Sequence, residues 1–246
     1  MKLFNKFIKL VKLLKHQKTR KGLLSNIAAN IELEDLVKDL KFKTLFDIGS
    51  NKGQFILLIE KIFDIDKNIY SFEPIKEIFE KQKIFFSNKK NISFFNFALG
   101  EKSSIKTLKI TKRKDSSSFF EINDNIKNTD YLVDEKREIE IKSLDEIMEN
   151  RNLIKPILAK IDVQGYELDV LKGSKNLLKK IKYIIIEVSE NEIYAGQALA
   201  NKIVKYLNDM NFKPIKETKT YKISGTEFKQ KDILFENIFL KNLSDE

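Results

Sequence analysis

Short apolar runs alternate along the chain with longer stretches whose apolar residues recur at helical spacing. The strand-length runs cover residues 44–48, 68–72, 92–97, 157–161 and 183–186. Helical patterns follow them, for example at about residues 75–87 and 197–210. This alternation is typical of βαβ units, in which helices connect parallel strands. It predicts an α/β fold with a mostly parallel sheet flanked by helices.

The alternation breaks between about residues 101 and 143. Residues 104–109 and 137–142 have strand patterns, and a long polar stretch separates them. We interpret this region as a two-stranded, β-hairpin-type insertion with a long loop on one face of the sheet. Long loops in compact domains are usually functional or disordered.

Two last strand patterns, at residues 213–218 and 232–240, predict an antiparallel pair that closes one edge of the sheet. Together with the five parallel runs they predict a sheet of seven strands. No internal repeat or linker divides the chain. Residues 41–246 are therefore expected to form one domain, preceded by a helical segment over residues 1–40.

The first fifteen residues form a basic amphipathic pattern. Phe4, Phe7, Val11 and Leu14 recur at helical spacing with lysines between them. Such a helix can lie on an anionic membrane surface or dock on the domain, and both interpretations stay open. Lysines interrupt any signal-peptide core, and no apolar run approaches the ~20 residues of a membrane span. A cytoplasmic location is expected, with peripheral contact at the inner face of the membrane under the first interpretation.

Composition restricts the chemistry. The 246 residues include no cysteine and a single histidine, His16, which excludes disulfides, cysteine nucleophiles and histidine-rich metal sites. Any general base must therefore be a carboxylate or a lysine. The formal net charge is +10, but the lysines are scattered and arginine is scarce, so nucleic acid is not the expected partner. The oligomeric state is left open.

The most informative segment is Asp47-Ile-Gly-Ser-Asn-Lys-Gly53, where a strand leads through glycines into a helix. Such a turn lets the backbone approach a ligand. A dinucleotide site would have the spacing Gly-x-Gly-x-x-Gly to seat a pyrophosphate, whereas an acidic residue here suits an ammonium and a sulfonium. The segment favours S-adenosylmethionine over NAD. Its candidate cofactor contacts are Asp47, Gly49, Ser50, Asn51 and Gly53.

Residues at the ends of the next two strands extend this site. Glu73 follows the second strand, where a carboxylate can accept hydrogen bonds from both hydroxyls of a ribose. Asn96 and Ala98 follow the third strand and are expected to border the adenine. Ala98 would leave room for the ring.

Six short motifs and one glutamate then carry a family resemblance in their order along the chain. They are residues 46–54, 72–74, 98–100, 143–145, 161–167 and 170–173, together with Glu187. In these motifs the sequence resembles the FkbM-type S-adenosylmethionine-dependent methyltransferases. The resemblance implies a class I, Rossmann-like methyltransferase fold and methyl transfer, generally to a hydroxyl of a sugar or natural product. Gln164 stands where the family often has Glu, and Ser50 where Ala is frequent.

Asp162 is the leading catalytic candidate because its strand should lie beside the glycine segment. Glu187 and Glu167 are the other carboxylates that could take the acceptor's proton. Asp162 and Glu187 should end neighbouring strands, so they could also hold one Mg²⁺ or Ca²⁺ ion, although a metal is the less favoured alternative.

The acceptor is expected to be a small molecule or a glycan, such as a sugar or glycolipid precursor. Ser116, Ser117 and Ser118, followed by two phenylalanines, offer hydroxyls and rings that suit a sugar, and Gln164 lies near the acceptor. The alternative for the serine run is a loop whose rings fold back on the core. An RNA methyltransferase and a catalytically inactive cofactor-binding scaffold are the rival functions.

Overall fold

The central sheet places the site. The computed structural model describes residues 2–63, 67–126, 129–223 and 226–242. The sheet runs in the order β3-β2-β1-β7-β8-β11, with β9 and β10 both paired to β11. Five strands are parallel to one another, and β11 is antiparallel to β8. The strands of this sheet are β1 (Thr44–Ile48), β2 (Asn68–Phe72), β3 (Ile92–Phe95), β7 (Ile157–Ile161), β8 (Tyr183–Ser189), β9 (Phe212–Glu217), β10 (Tyr221–Lys222) and β11 (Lys229–Asn237).

Helices cover both faces of this sheet, as the alternating pattern predicts. Those before residue 90 are α1 (Lys2–Lys15), α2 (Gln17–Leu24), α3 (Glu34–Val37), α4 (Gln54–Ile62) and α5 (Lys76–Phe85). Those after it are α6 (Leu144–Met148), α7 (Glu167–Lys172), α8 (Lys175–Leu178), α9 (Ala200–Asp209) and α10 (Ile238–Asn242). Side chains of α1, α3 and α4 share one apolar core with the sheet, and those of α6 to α9 share the other. Because β1 and β7 are buried along their whole length, their sequences are almost continuously apolar.

The insertion is a separate small sheet of three strands. Its strands are β4 (Ala98–Leu99), β5 (Ser104–Thr111) and β6 (Val133–Lys142). The expected hairpin is present as the antiparallel pair β5–β6, and β4 adds to it in parallel. The prediction of a two-stranded insertion at about residues 101–143 is confirmed by this pair. The addition of β4, which lies before residue 101, was not expected, because a two-residue strand has no periodicity to detect. The loop between β5 and β6 faces the carboxyl ends of the parallel strands.

The central sheet has eight strands, so the predicted count of seven was wrong. The long strand β11 has room for two antiparallel partners, β9 along its second half and β10 at its start. Residues 238–240, expected to continue the last strand, begin α10 instead. The mostly parallel character of the sheet is as predicted.

The N-terminal segment packs on the α4 face of the sheet. Leu13 is buried there at 3% exposure, and the Lys9 ammonium pairs with Glu32 at 2.8 Å. His16 caps α2, its Nδ1 accepting the backbone N–H of Lys18 at 3.3 Å. Among the described residues, no helix is both long and apolar enough to cross a bilayer.

Candidate functional site

A cavity of about 480 Å³ lies where the carboxyl ends of the parallel strands meet the insertion. Ligands bind at this edge in open α/β sheets because the connecting loops diverge there. Ten of the predicted site residues line the cavity: Gly49, Ser50, Asn51, Glu73, Ala98, Ser116, Ser117, Asp162, Gln164 and Glu187. The other five predicted site residues do not line it: Asp47, Gly53, Asn96, Ser118 and Glu167.

The glycine loop between β1 and α4 has a backbone that few side chains would permit. Gly49 has φ +76°, and a Cβ at this position would lie 1.8 Å from the carbonyl oxygen of Asp162. Gly53 has φ +83°, and its Cβ would lie 2.5 Å from Cε2 of Phe86. Asn51 between them also has a positive φ of 50°. The glycines therefore allow this loop to pack against α5 and against the loop that follows β7 (the β7 loop), while its own backbone faces the cavity.

Glu73 fixes the far side of this loop. One carboxylate oxygen accepts the backbone N–H of Asn51 at 2.9 Å, and the other accepts that of Ile75 at 2.8 Å. Burial raises the pKa of Glu73 to about 7, although both hydrogen bonds oppose the shift. Each oxygen keeps a second lone pair, so the carboxylate can still accept hydrogen bonds from a ligand.

Asp47 lies beneath the loop. Its side chain is fully buried, and neither carboxylate oxygen has a hydrogen-bond partner among the described residues. Burial raises its pKa to about 6, opposed by the charge of Lys160, which is its register partner on β7. The Oδ1 atom of Asn51 is likewise buried without a partner. Unsatisfied acceptors beside a glycine-containing loop fit a cationic, hydrogen-bonding ligand such as S-adenosylmethionine.

The two residues predicted to border an adenine separate in the structure. Ala98 lines the cavity. The amide of Asn96 points away from it and donates to the carbonyl oxygens of Glu73 and Pro74 at 2.9 and 3.1 Å. Asn96 thus holds the chain after Glu73 in place.

Asp162 stands at the end of β7 with both oxygens engaged. The Lys160 ammonium lies 3.0 Å from Oδ2, and the Gln164 amide donates to Oδ1 at 2.7 Å. Burial alone would lower the pKa of Lys160, but Asp162 and Asp47 outweigh it and keep this pKa above its usual value. The buried Lys160 ammonium and the Gln164 amide together fix the direction of the Asp162 carboxylate.

Glu187 lies beside Asp162 and within β8, two residues before the end of that strand. The Gln164 amide reaches its Oε2 at 3.2 Å, the Gln230 amide donates to the same atom at 3.0 Å, and the Tyr221 hydroxyl donates to Oε1. Burial, then the charges of Asp162 and Asp232, raise the pKa of Glu187 well above its ordinary value. The NH₂ group of Gln164 thus contacts both carboxylates. This is possible because β7 and β8 are neighbouring strands, as predicted.

The orientation of the Gln164 side-chain amide is fixed by a hydrogen bond from Tyr194. The hydroxyl of Tyr194, which is buried, donates to Oε1 of Gln164 at 2.7 Å. This contact turns the NH₂ group of the amide towards Asp162 and Glu187. The described residues contain no group of three acidic or histidine side chains arranged to hold a metal ion.

Glu167 supports the loop after β7 and lies outside the cavity. Its Oε1 accepts the backbone N–H groups of Val163 and Gly165, each at 3.1 Å. Glu167, predicted as a catalytic candidate, therefore holds the loop in place, because the backbone N–H groups of the loop point towards its carboxylate. Burial raises the pKa of Glu167 to about 7.

The raised pKa of Glu167 predicts that the free energy of unfolding depends on pH. Between pH 5 and 8 the folded protein retains a proton that the unfolded chain releases, so stability falls as pH rises. Glu167→Gln keeps an oxygen for both N–H groups and removes the titration. We expect its unfolding free energy to match wild type near pH 5 and to exceed it by about 2 kcal/mol at pH 8. Thermal or urea unfolding at the two pH values measures this difference.

Glu77 provides the matched control for that measurement. It is an exposed glutamate whose pKa is lowered, first by its hydrogen bond with Arg137. Its titration is complete below pH 5, so Glu77→Gln should shift stability equally at pH 5 and pH 8. A parallel shift in Glu167→Gln would contradict the assignment of a raised pKa to Glu167.

The predicted serine run is divided between the cavity and the fold. Ser116 and Ser117 line the cavity, but the Ser117 hydroxyl is bonded to Thr111 and Lys114 of its own loop. Ser118 donates to the carbonyl oxygen of Gln164 at 2.6 Å and so ties the insertion to the β7 loop. Phe119 and Phe120 pack on Tyr166, with ring centroids 4.9 and 5.7 Å away, and Phe119 also lines the cavity.

Several lining residues were not expected from the sequence. They are Arg113, Tyr131, Lys160, Tyr166, Tyr221 and Gln230. A charged residue inside the apolar run of β7 is a signal that could have identified Lys160. The others come from the insertion loop, the β7 loop and the β10–β11 region, whose position at the cavity depends on the tertiary fold.

The sheet order, the glycine loop after β1 and the carboxylate after β2 define a class I methyltransferase fold. The methyltransferase FkbM domain matches residues 47–214, and the chain belongs to this family of S-adenosylmethionine-dependent methyltransferases. It is 26% identical over 177 residues to the hexuronic acid methyltransferase AglP of Haloferax volcanii, covering 68% of each chain. It also resembles the crystal structure of methyltransferase FkbM from Methylobacillus flagellatus KT, with a TM-score of 0.52 and 12% identity. That match covers 81% of this chain and 45% of the other, so this chain spans about half of that protein.

Proposed function

We propose that the protein transfers a methyl group from S-adenosylmethionine to a hydroxyl oxygen of a sugar, in a glycan or glycolipid precursor. The observation that carries this proposal is one cavity shared by the glycine loop with Glu73 and the Asp162–Gln164–Glu187 group. A donor site and a proton-accepting site are thereby adjacent.

The cofactor would be held by the glycine loop, Asn51 and Glu73, with Asp47 beneath it. When bound, S-adenosylmethionine supplies an electrophilic methyl group on a sulfonium. Glu73 would accept hydrogen bonds from the ribose in addition to those it takes from Asn51 and Ile75. Buried carboxylates on this side of the cavity also favour a ligand that carries positive charge.

Asp162 would accept the hydrogen bond of the attacking hydroxyl and take its proton as the new C–O bond forms. The methyl–sulfur bond would break in the same step, and its electron pair would stay on the sulfur of the leaving S-adenosylhomocysteine. The Lys160 ammonium and the Gln164 amide, one on each oxygen, fix the direction of the Asp162 carboxylate. Since the displacement is in line, most of the acceleration would come from holding the hydroxyl at this position. Glu187, with its raised pKa, would limit the negative charge that accumulates beside Asp162.

Two features support a sugar hydroxyl as the acceptor. A hydroxyl can donate a hydrogen bond to the carboxylate of Asp162 at the reacting position, whereas an acceptor carboxylate cannot donate one. The opposite wall carries polar and aromatic groups, including Arg113, Tyr131 and Phe119, which suit the edges and faces of a sugar ring. The related Haloferax protein is named for action on a hexuronic acid, which is also a sugar.

The proposal includes no divalent metal, because Gln164 already spans Asp162 and Glu187. A Mg²⁺ or Ca²⁺ ion at these two residues is the alternative. Turnover that disappears in EDTA and returns with added Mg²⁺ or Ca²⁺ would favour the metal.

The direct test is transfer of label from methyl-labelled S-adenosylmethionine to a set of acceptors. Nucleotide sugars, lipid-linked sugars and RNA should be offered in parallel. Label on a sugar oxygen, located by mass spectrometry, is the expected result. Label in RNA alone would support the RNA methyltransferase, and cofactor binding without any transfer would support the inactive scaffold.

Glu73→Gln tests the cofactor half of the site. One of the two backbone N–H groups would then face an NH₂ group, so the loop loses an anchor and the ribose an acceptor. We expect the Kd for S-adenosylmethionine to rise at least about tenfold, which corresponds to about 1.4 kcal/mol. Calorimetric titration measures the change. Glu77→Gln, on the exposed side of α5, should leave the Kd unchanged, and an unchanged Kd in Glu73→Gln would remove Glu73 from the site.

A further inference from the structure

Helix α1 docks on the domain through one face and leaves an apolar face in solvent. Leu13 is buried and Lys9 is paired with Glu32 on the docked side. Phe7, Leu10, Val11 and Leu14 recur at helical spacing on another side and are between 36% and 62% exposed. One face of α1 thus docks on the domain, as one of the two interpretations expects, and the other face is exposed to solvent.

Lysines flank the exposed apolar stripe. Lys12 and Lys15 are exposed and form no ion pair with any residue in the described part of the chain. They also border a groove between α1, the segment before β1 and α4, where Lys38 and Lys61 are the other lysines. Glu34 and Asp35 of this groove are already paired with Lys61 and Lys38. The side of α1 next to the stripe is therefore positively charged.

We propose that this surface, formed by Phe7, Leu10, Val11 and Leu14 with Lys12 and Lys15, binds the surface of a membrane that contains anionic lipids. We name it the lipid face. An apolar helix stripe inserts between lipid headgroups, and unpaired lysines beside it meet their phosphates. Neither feature alone would suffice, since a single apolar stripe also suits a protein partner, and charge complementarity selects the anionic membrane.

Helix α1 is joined to the edge of the cavity through the segment between α2 and α3. Lys9 of α1 contacts Glu32, and Asn30, two residues earlier, lines the cavity and donates its backbone N–H to Gln54 of α4. Membrane binding through the lipid face is independent of which molecule accepts the methyl group.

The experiment is cosedimentation of the full chain with vesicles of phosphatidylcholine, with and without phosphatidylglycerol. We expect binding to the anionic vesicles that weakens as salt is raised. Phe7→Ser with Leu14→Ser should abolish it, and Lys12→Glu with Lys15→Glu should lower the partition coefficient more than about tenfold. Ile105→Ser with Lys102→Glu, on the exposed insertion, is the matched control and should bind as wild type does.

Other outcomes would overturn the proposal. These are the absence of binding to anionic vesicles, equal binding to both vesicle types, or the same loss in the control variant. If ultracentrifugation showed a dimer that Phe7→Ser with Leu14→Ser dissociates, the face would be an interface between copies. Because all substituted side chains are exposed, circular dichroism should report an unchanged fold in every variant.

Discussion

Gly49→Ala is expected to abolish cofactor binding and to destabilise the fold by about 3 kcal/mol or more. The added Cβ would stand 1.8 Å from the carbonyl oxygen of Asp162, a backbone atom that cannot rotate away. The glycine loop and the β7 loop would have to separate, which disturbs both halves of the cavity. For a chain of this size, the loss corresponds to a fall in Tm of about 6 °C or more.

Gly196→Ala is a control that separates the effect of steric crowding at Gly49 from the effect of a left-handed backbone. Gly196 has a similarly positive φ of 83°, but a Cβ there meets nothing within 4 Å. We expect a cost of about 1 to 2 kcal/mol from the left-handed backbone alone, with cofactor affinity unchanged. Calorimetric titration and thermal unfolding of both variants make the comparison. Equal effects on stability and binding would show that the close approach of Gly49 to Asp162 is unimportant.

Asp162→Asn is expected to lower turnover by about 10²- to 10⁴-fold while leaving the Kd for S-adenosylmethionine within about threefold of wild type. Asparagine can still accept a hydrogen bond from Lys160, although its NH₂ group would face the Gln164 amide and that one hydrogen bond is lost. It cannot take the proton of an acceptor hydroxyl. Single-turnover methyl transfer, together with calorimetry, separates the catalytic loss from any loss of binding.

Asp169→Asn is the control for this loss. Asp169 is a half-buried aspartate on α7 that does not line the cavity. Its substitution should change neither turnover nor cofactor affinity. Turnover in Asp162→Asn equal to that of Asp169→Asn would remove Asp162 from the reaction, whatever the acceptor.

The parallel strands could be predicted because burial on both faces imposes apolar runs. The predicted bounds of β1, β2 and β7 coincide with the observed ones. Strands β4 and β10 could not be predicted in this way. Each has two residues and is held by backbone pairing to a longer strand, so its side chains carry no pattern.

The cofactor side of the site was predictable from local sequence, and the acceptor side was not. Gly49, Asn51 and Glu73 follow directly after strands, and their positions are fixed within one βαβ unit. Tyr221 reaches Glu187 from a strand 34 residues further along, through an edge pairing that leaves no local signal. The roles of Glu167 and Ser118 depend on turns of the backbone around them, which residue type alone does not specify.

The central claim is tested most directly by calorimetric titration of the wild-type protein with S-adenosylmethionine. We expect saturable binding at one site per chain, weakened by Glu73→Gln and unaffected by Glu77→Gln. Absence of binding by the folded wild-type protein would contradict the assignment of the cavity as a methyl-donor site.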